Sequence, residues 1–415
     1  MKLKQIIIVI IITVLCSSFT VSAQKCFING NTIGIDSKSI ILTKPGEDLR
    51  YDGLEIPIEN GKIEYELNID QPQGYELFLG EAKYMGGRFM CIFLEPGKIN
   101  ITLHPEKEFD KNIVSGGQLN AEYQKLKYKL DSIEFKVKPI SDRLMFMYDN
   151  GSSFSDSMKI IQGNLKKANT QDELNVLYKK IENLQNAGLD LTPEANKLRE
   201  IIHQNQQEML DFQQDYINKN PTIVSYFLLY QNLLMAYEKM DIAKAKNSYK
   251  VLSAKFPLHP YTNEVEILLG SIAKIHPGGK YIDFSAPDLD GKIFRLSELI
   301  DGKVALIDLW ATWCGPCIAK SRKMVPVYQE FKDSGFVVVG VAGEFKNTDN
   351  LTRFLKKEKY PWLNLVELDR QNNIWAKYGI PNAGGGIFLV DRNGTILAVD
   401  PTAEEVKAKL KVLLK

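Results

Sequence analysis

The run from Val304 to Cys317, VALIDLWATWCGPC, constrains the fold more than any other part of the chain. Its first half is apolar from Val304 to Leu309 except for Asp308, the pattern of a strand buried on both faces. Its second half sets Cys314 and Cys317 where that strand hands over to a helix expected over Pro316 to Phe331. A cysteine at a helix N-terminus meets unpaired N–H groups and the positive end of the macrodipole, and both favour the thiolate. A thiol with a pKa of about 8.5 is only about 3% ionised at pH 7, whereas one lowered to about 7 is half ionised. Two intervening residues put the second sulfur one helical turn in, where it can attack the first and close a small ring. The spacing assigns Cys314 as the exposed nucleophile and Cys317 as the buried resolving thiol.

Other uses of paired cysteines fit less well. Zinc takes four ligands, and His104, His203, His259 and His276 all precede this region with no i,i+4 pair among them, so no metal site is expected. A structural disulfide between residues three apart closes too small a loop to stabilise much. A thiol peroxidase would carry Pro-x-x-x-Thr-x-x-Cys, but Ile307 and Ala311 hold the Pro and Thr places. Dithiol–disulfide exchange remains, and it needs no cofactor.

The 415 residues divide by periodicity. Lys2 and Lys4, an apolar run from Ile6 to Leu15 and the compact Val21-Ser22-Ala23 read as an export signal spanning residues 1–23, with Gln24 as the mature start. The run is about half of the ~20 residues a membrane-spanning helix needs. Lipoprotein processing at Cys16 is the rival reading, and bulky Leu15 before it argues against that. Export to the periplasm places Cys26, Cys91, Cys314 and Cys317 where disulfides persist. Residues 24–115 show short alternating runs (Ser39 to Thr43, Lys62 to Ile69, Tyr75 to Leu79, Phe89 to Leu94) broken at Asp52-Gly53, Asn60-Gly61 and Pro96-Gly97. A small antiparallel β domain is expected. Residues 116–276 change to helical spacing, as in Leu126, Leu130 and Ile133, and read as a helical connecting domain. After the linker His276-Pro277-Gly278-Gly279, residues 277–415 alternate strand and helix, an α/β domain whose last helix opens with the capping box Thr402 and Glu405. The formal charge of +1, with no basic stripe, argues against nucleic acid as partner.

Gly279 to Cys317, with Phe284-Ser285-Ala286-Pro287-Asp288, Asp290-Gly291-Lys292 and Gly302-Lys303, resembles the TlpA/ResA family of extracytoplasmic thioredoxin-like thiol–disulfide oxidoreductases. The likeness continues through Gly340-Val341 and Phe388-Leu389-Val390-Asp391. Leu94-Glu95-Pro96-Gly97 and Gly116 to Tyr123 are similar to a β-rich domain of unknown function that precedes many such proteins. The resemblance implies a thioredoxin fold, redox activity on protein clients with disulfides or thiols, and a membrane thiol electron donor. Gly315-Pro316 is the pair thioredoxin keeps between its cysteines, which points to reduction of client disulfides. Oxidase or isomerase activity is the alternative, as is a client-binding scaffold that uses the thiols as a latch. The two front domains show no catalytic constellation, so client recognition is their expected work.

The same resemblance gives roles to further residues. Asp308 matches a buried acid that takes the proton of the second thiol, and its apolar neighbours should raise its pKa. Glu344 matches a glutamate held beside the thiols. Trp310 is expected in the core and Trp313 on an exposed apolar rim that docks a partner. The family helix has a proline where Arg322 stands, with Pro326 one turn later. Thioredoxin folds also set a cis-proline opposite the thiols, and counting back from Asp391 lands on Gly385 within Gly384-Gly385-Gly386. Glycine backbone is therefore expected to border the thiols, with Pro381 serving instead only if the loop carries an insertion. Cys26 and Cys91 are expected as unpaired buried thiols, although a bridge between them is open.

Overall fold

The computed structural model describes residues 24–380 and 384–414, so the expected signal and Pro381 lie outside the described residues. Eight strands form the N-terminal part: β1 (Gln24–Thr32), β2 (Ser39–Thr43), β3 (Leu54–Pro57), β4 (Lys62–Ile69), β5 (Gln73–Leu79), β6 (Met90–Leu94), β7 (Gly97–Leu103) and β8 (Ile113–Ser115). A short helix, α1 (Ala82–Met85), joins β5 to β6. The strands make two sheets, ordered β4-β1-β7-β8 and β3-β2-β5-β6. Alternation turns Ile28, Ile63, Ile99 and Ile101 of the first sheet and Ile40, Leu42, Ile56 and Ile92 of the second into one shared apolar core. All pairings are antiparallel except β1 with β7, which run parallel from Cys26 opposite Gly97 to Thr32 opposite Leu103. The first sheet is therefore mixed, because Pro96-Gly97 carries the chain from one sheet to the other and β7 enters in the direction of β1.

Cys26 and Cys91 are free and buried. Cys26 faces the core between the sheets, whereas Cys91 shares a second core with Phe93 and the helices that follow. Because the two side chains point into different cores, no bridge forms.

Helices α2 (Gln118–Glu134), α3 (Lys138–Asp149), α4 (Asp156–Leu165), α5 (Gln171–Asn186), α6 (Pro193–Lys219), α7 (Ile223–Ala236), α8 (Ile242–Lys255) and α9 (Pro260–Lys274) form the middle part. Helix α7 is apolar on all sides and buried from Val224 to Tyr230, as a central helix must be. The motif Leu94-Glu95-Pro96-Gly97 has a physical reason at this junction. The Glu95 carboxylate accepts from the N–H groups of Gln118 and Leu119 at 2.9 and 2.8 Å and caps α2. A Cβ on Gly117 would overlap that carboxylate. The Asn120 side chain pairs with both backbone groups of Phe93, at 2.9 and 2.7 Å, and closes the edge of β6 like a further strand. Tyr261 of α9 does the same for Gly74 in β5.

The C-terminal part begins with a hairpin, β9 (Ser285–Pro287) and β10 (Ile293–Arg295), and helix α10 (Leu296–Ile300). Then come β11 (Val304–Trp310), α11 (Gly315–Phe331), β12 (Phe336–Glu344), α12 (Asp349–Glu358), β13 (Leu363–Leu368), α13 (Ile374–Lys377), β14 (Gly386–Val390), β15 (Ile396–Val399) and α14 (Ala403–Leu413). The sheet order is β13-β12-β11-β14-β15, with β11 central, parallel to β12 and antiparallel to β14. Alternate residues of β11 feed two cores, Ile307 and Leu309 on one face and Val304 and Leu306 on the other. The capping box at α14 forms as its spacing requires, with Glu405 N–H donating to Thr402 Oγ1 at 3.2 Å and Thr402 N–H to the Glu405 carboxylate at 2.8 Å.

Candidate functional site

Every residue of β11 is buried, so the strand delivers the turn Ala311-Thr312-Trp313 from a fixed base. Cys314 is the N-cap of α11 and Pro316 lies in its first turn, where its missing N–H costs nothing. Cys314 and Cys317 are joined as a disulfide, with their Cα atoms 5.3 Å apart. Each sulfur also receives one backbone N–H. Cys317 N–H donates to Cys314 Sγ at 3.3 Å, and Gly385 N–H donates to Cys317 Sγ at 2.9 Å. Such donors stabilise negative charge on sulfur once the bond is opened. Exposure differs from the expectation: Cys314 is 7% and Cys317 6% exposed, so burial does not separate nucleophile from resolving thiol in this oxidised state. Both cysteines belong to one buried cluster with Trp310 and Ala311, and the Gly385 backbone, far along the chain, lies against Cys317 Sγ.

The glycine segment borders the thiols. A Cβ on Gly385 would overlap the carbonyl oxygen of Leu309 and come within 3.0 Å of Cys317 Sγ. Only glycine lets this backbone approach so closely. The Gly384–Gly385 peptide is trans. Arg322, in the place of the family proline, forms a two-pronged ion pair with Glu358 at the end of α12, at 2.8 and 2.7 Å. Helix α11 continues through Pro326.

Asp308 is 1% exposed, and burial pushes its carboxyl up to about 7, partly offset by a hydrogen bond from Ser321. The Ser321 hydroxyl lies 2.7 Å from Asp308 Oδ2 and 3.1 Å from the Cys317 carbonyl oxygen. One hydroxyl proton cannot serve both acceptors at once. When Asp308 is protonated it can donate to Ser321 Oγ while Ser321 donates to the Cys317 carbonyl oxygen; when ionised, it accepts the hydrogen bond from the Ser321 hydroxyl. Sequence reasoning missed Ser321, although its position four residues after Cys317 puts it on the same helix face.

Glu344 ends β12, buried, and burial raises its pKa against two bonds that lower it. Both bonds come from Thr312, N–H to Oε1 and hydroxyl to Oε2, each 2.8 Å. With both oxygens occupied, Glu344 fixes the turn that leads into Cys314. Trp310 is fully buried and donates to Asn364 at 3.0 Å. Trp313 is only partly exposed: its Nε1 donates to the Gly343 carbonyl at 3.0 Å, and its ring lies 5.9 Å from Trp375 and 5.8 Å from Phe345. Glu367 holds Trp375 in place by accepting from the N–H groups of Ile374 and Trp375 at 2.6 and 3.1 Å.

The sequence is also similar to known proteins. Residues 277–399 match the AhpC/TSA family, and residues 27–123 match a domain of unknown function, DUF4369. The thiol-disulfide oxidoreductase ResA of Geobacillus thermodenitrificans is 28% identical over 158 residues, covering 36% of this chain and 81% of that protein. ResA of Bacillus anthracis is 27% identical over 145 residues, covering 34% and 79%. Among solved structures, the thioredoxin domain of a thiol-disulfide oxidoreductase from Bacteroides vulgatus aligns at 22% identity and a TM-score of 0.31, covering 34% of this chain and 100% of that one. A candidate thiol:disulfide interchange protein DsbE from Chlorobium tepidum aligns at 28% identity and a TM-score of 0.30, with coverage of 34% and 100%. The C-terminal part therefore has a thioredoxin fold, matches the AhpC/TSA family over residues 277–399 and carries a dithiol in a region similar to the ResA thiol–disulfide oxidoreductases, behind a region that matches a domain of unknown function.

Proposed function

We propose that the chain is exported to the periplasm and there reduces disulfides in polypeptide clients, drawing electrons from a membrane thiol donor. The observation that carries the redox assignment is the Cys314–Cys317 pair at the start of α11, each sulfur with its own backbone N–H donor. The Cys314 thiolate attacks one sulfur of the client disulfide and expels the other as a thiolate, leaving a mixed disulfide. Cys317 passes its proton towards the Asp308 carboxylate and attacks Cys314 Sγ. This closes the intramolecular disulfide and releases the second client thiol. Two electrons pass from the dithiol to the client, and a dithiol donor restores the reduced pair. Glu344 acts as a positioning residue through Thr312, and Gly384 and Gly385 line the path of the client backbone. Support for export comes from the charged and apolar residues before Gln24, and for reduction from Gly315-Pro316 between the cysteines.

Insulin reduction with dithiothreitol as recycling reductant tests this reading. The full chain should turn over, Cys314→Ser should be inactive, and Cys317→Ser should accumulate mixed disulfides through Cys314. Activity surviving in Cys314→Ser would contradict it.

A further inference from the structure

One loop of the N-terminal β part lies against Trp313, the residue before Cys314. In the loop between β2 and β3, the Tyr51 ring stacks on Phe345 with centroids 4.8 Å apart and planes 13° from parallel, and it lies 6.2 Å from Trp313. The Arg50 guanidinium sits 5.3 Å from the Tyr51 ring and 5.8 Å from the Trp313 ring. Arg370, 5.2 Å from the Phe345 ring, pairs with Asp52 at 3.0 Å and ties the loop to the thioredoxin-fold domain. The loop is braced from within as well. Buried Asp48 accepts from Arg50 Nε and Nη2 at 3.0 and 2.6 Å and from the Arg50 N–H at 2.8 Å, while Asp48 N–H donates to Asp52 at 2.9 Å. A loop held this way is a fixed wall, and its ordering cost is met before anything binds.

We propose that Tyr51 and Arg50 extend the Trp313 rim into a shelf that receives a polypeptide client carrying an aromatic or large aliphatic side chain next to its disulfide. The proposal rests on the redox reading above. Trp313 directly precedes Cys314, so the shelf is continuous with the thiol site and a side chain lying on it is within a residue or two of the client sulfur. The chemistry of the occupant follows from the charges. Asp48 neutralises Arg50 and Asp52 neutralises Arg370, which leaves aromatic faces and no net charge to offer. Tyr51 keeps 39% of its surface exposed, and among the described residues its aromatic-ring contacts are with Trp313 and Phe345. A flanking side chain can therefore add to an aromatic cluster that is already ordered. Tyr51 and Arg50 are specificity-determining residues in this account and take no part in electron transfer.

Two synthetic peptides with an intramolecular disulfide, one with Phe and one with Ser beside the reacting cysteine, test the shelf, with bis(2-hydroxyethyl) disulfide as a client too small to reach it. The full chain should prefer the Phe peptide in kcat/KM by about fivefold, the range of one aromatic contact. Tyr51→Ala should lower that preference to near unity through KM, Tyr51→Phe should keep it, and Arg50→Ala should fall between. Full preference in both Tyr51→Ala and Arg50→Ala would overturn the shelf alone. So would an equal rise of all three rates in Tyr51→Ala, since the loop would then be a cover. Failure of the full chain to reduce even the small disulfide would overturn the redox reading, and the shelf with it.

Discussion

Asp308→Asn isolates the cost of the buried acid. Burial raises the Asp308 carboxyl from about 3.9 in the unfolded chain to about 7 in the fold. Between those values the folded state holds a proton that the unfolded state has released. Stability therefore falls as pH rises through that window, and the loss levels off above the folded pKa. The cost is on the order of 1–2 kcal/mol at pH 5 and roughly 4 kcal/mol at pH 8. With 1% of the residue exposed, solvent screening does not reduce it. Asparagine keeps an acceptor for Ser321 and cannot ionise. Other buried acids, Glu344 and Glu367 among them, titrate equally in both proteins and cancel in the comparison. All four tryptophans, Trp310, Trp313, Trp362 and Trp375, lie in this domain, so tryptophan fluorescence in denaturant follows its unfolding. In the oxidised protein, the loss of unfolding free energy between pH 5 and pH 8 should be smaller in Asp308→Asn by roughly 2–3 kcal/mol. Equal losses in the two proteins would refute a neutral Asp308. The same variant should also flatten the pH dependence of exchange near neutrality, because the acceptor for the Cys317 proton is gone.

Gly385→Ala should destabilise the C-terminal domain by about 1–3 kcal/mol, because its Cβ has no room against the Leu309 carbonyl. Gly385→Pro also removes the N–H that Cys317 Sγ accepts, and should slow client exchange far more than Pro381→Ala does in a parallel stopped-flow comparison. Thr312→Val strands one buried oxygen of Glu344 and should cost about 1–3 kcal/mol in thermal or chemical unfolding, without moving the pH midpoint of exchange. Mass spectrometry of the protein recovered outside the cytoplasm should find Gln24 at the N-terminus; an acylated Cys16 would reverse that expectation.

The parts of the site that depend on near neighbours in sequence were legible. Val304 to Leu309 can only be a covered strand, Pro316 marks the start of α11, and Thr402 with Glu405 forms the capping box of α14. Counting back from Asp391 by the spacing of the resembling family lands on Gly385, whose N–H donates to Cys317 Sγ. Strand β13 was not legible, since its buried Asn364 and Glu367 make the run look like polar loop. Those two are buried only because Trp310 and the start of α13 satisfy them. The near-equal burial of Cys314 and Cys317 was equally hidden, as it depends on loops arriving from elsewhere in the chain. Tyr51 and Arg50 illustrate the limit best: nothing in Asp48 to Asp52 signals contact with a tryptophan far along the chain.

The reduction potential of the Cys314–Cys317 pair tests the central claim most directly. Equilibration of the full chain with dithiothreitol or glutathione buffers, quenched by alkylation and read by mass, gives it without assuming a client. A reductase should lie near the thioredoxin value of about −270 mV, where the dithiol gives up its electrons readily. A value near −120 mV, typical of a strong oxidant, would contradict the account and make the protein a donor of disulfides.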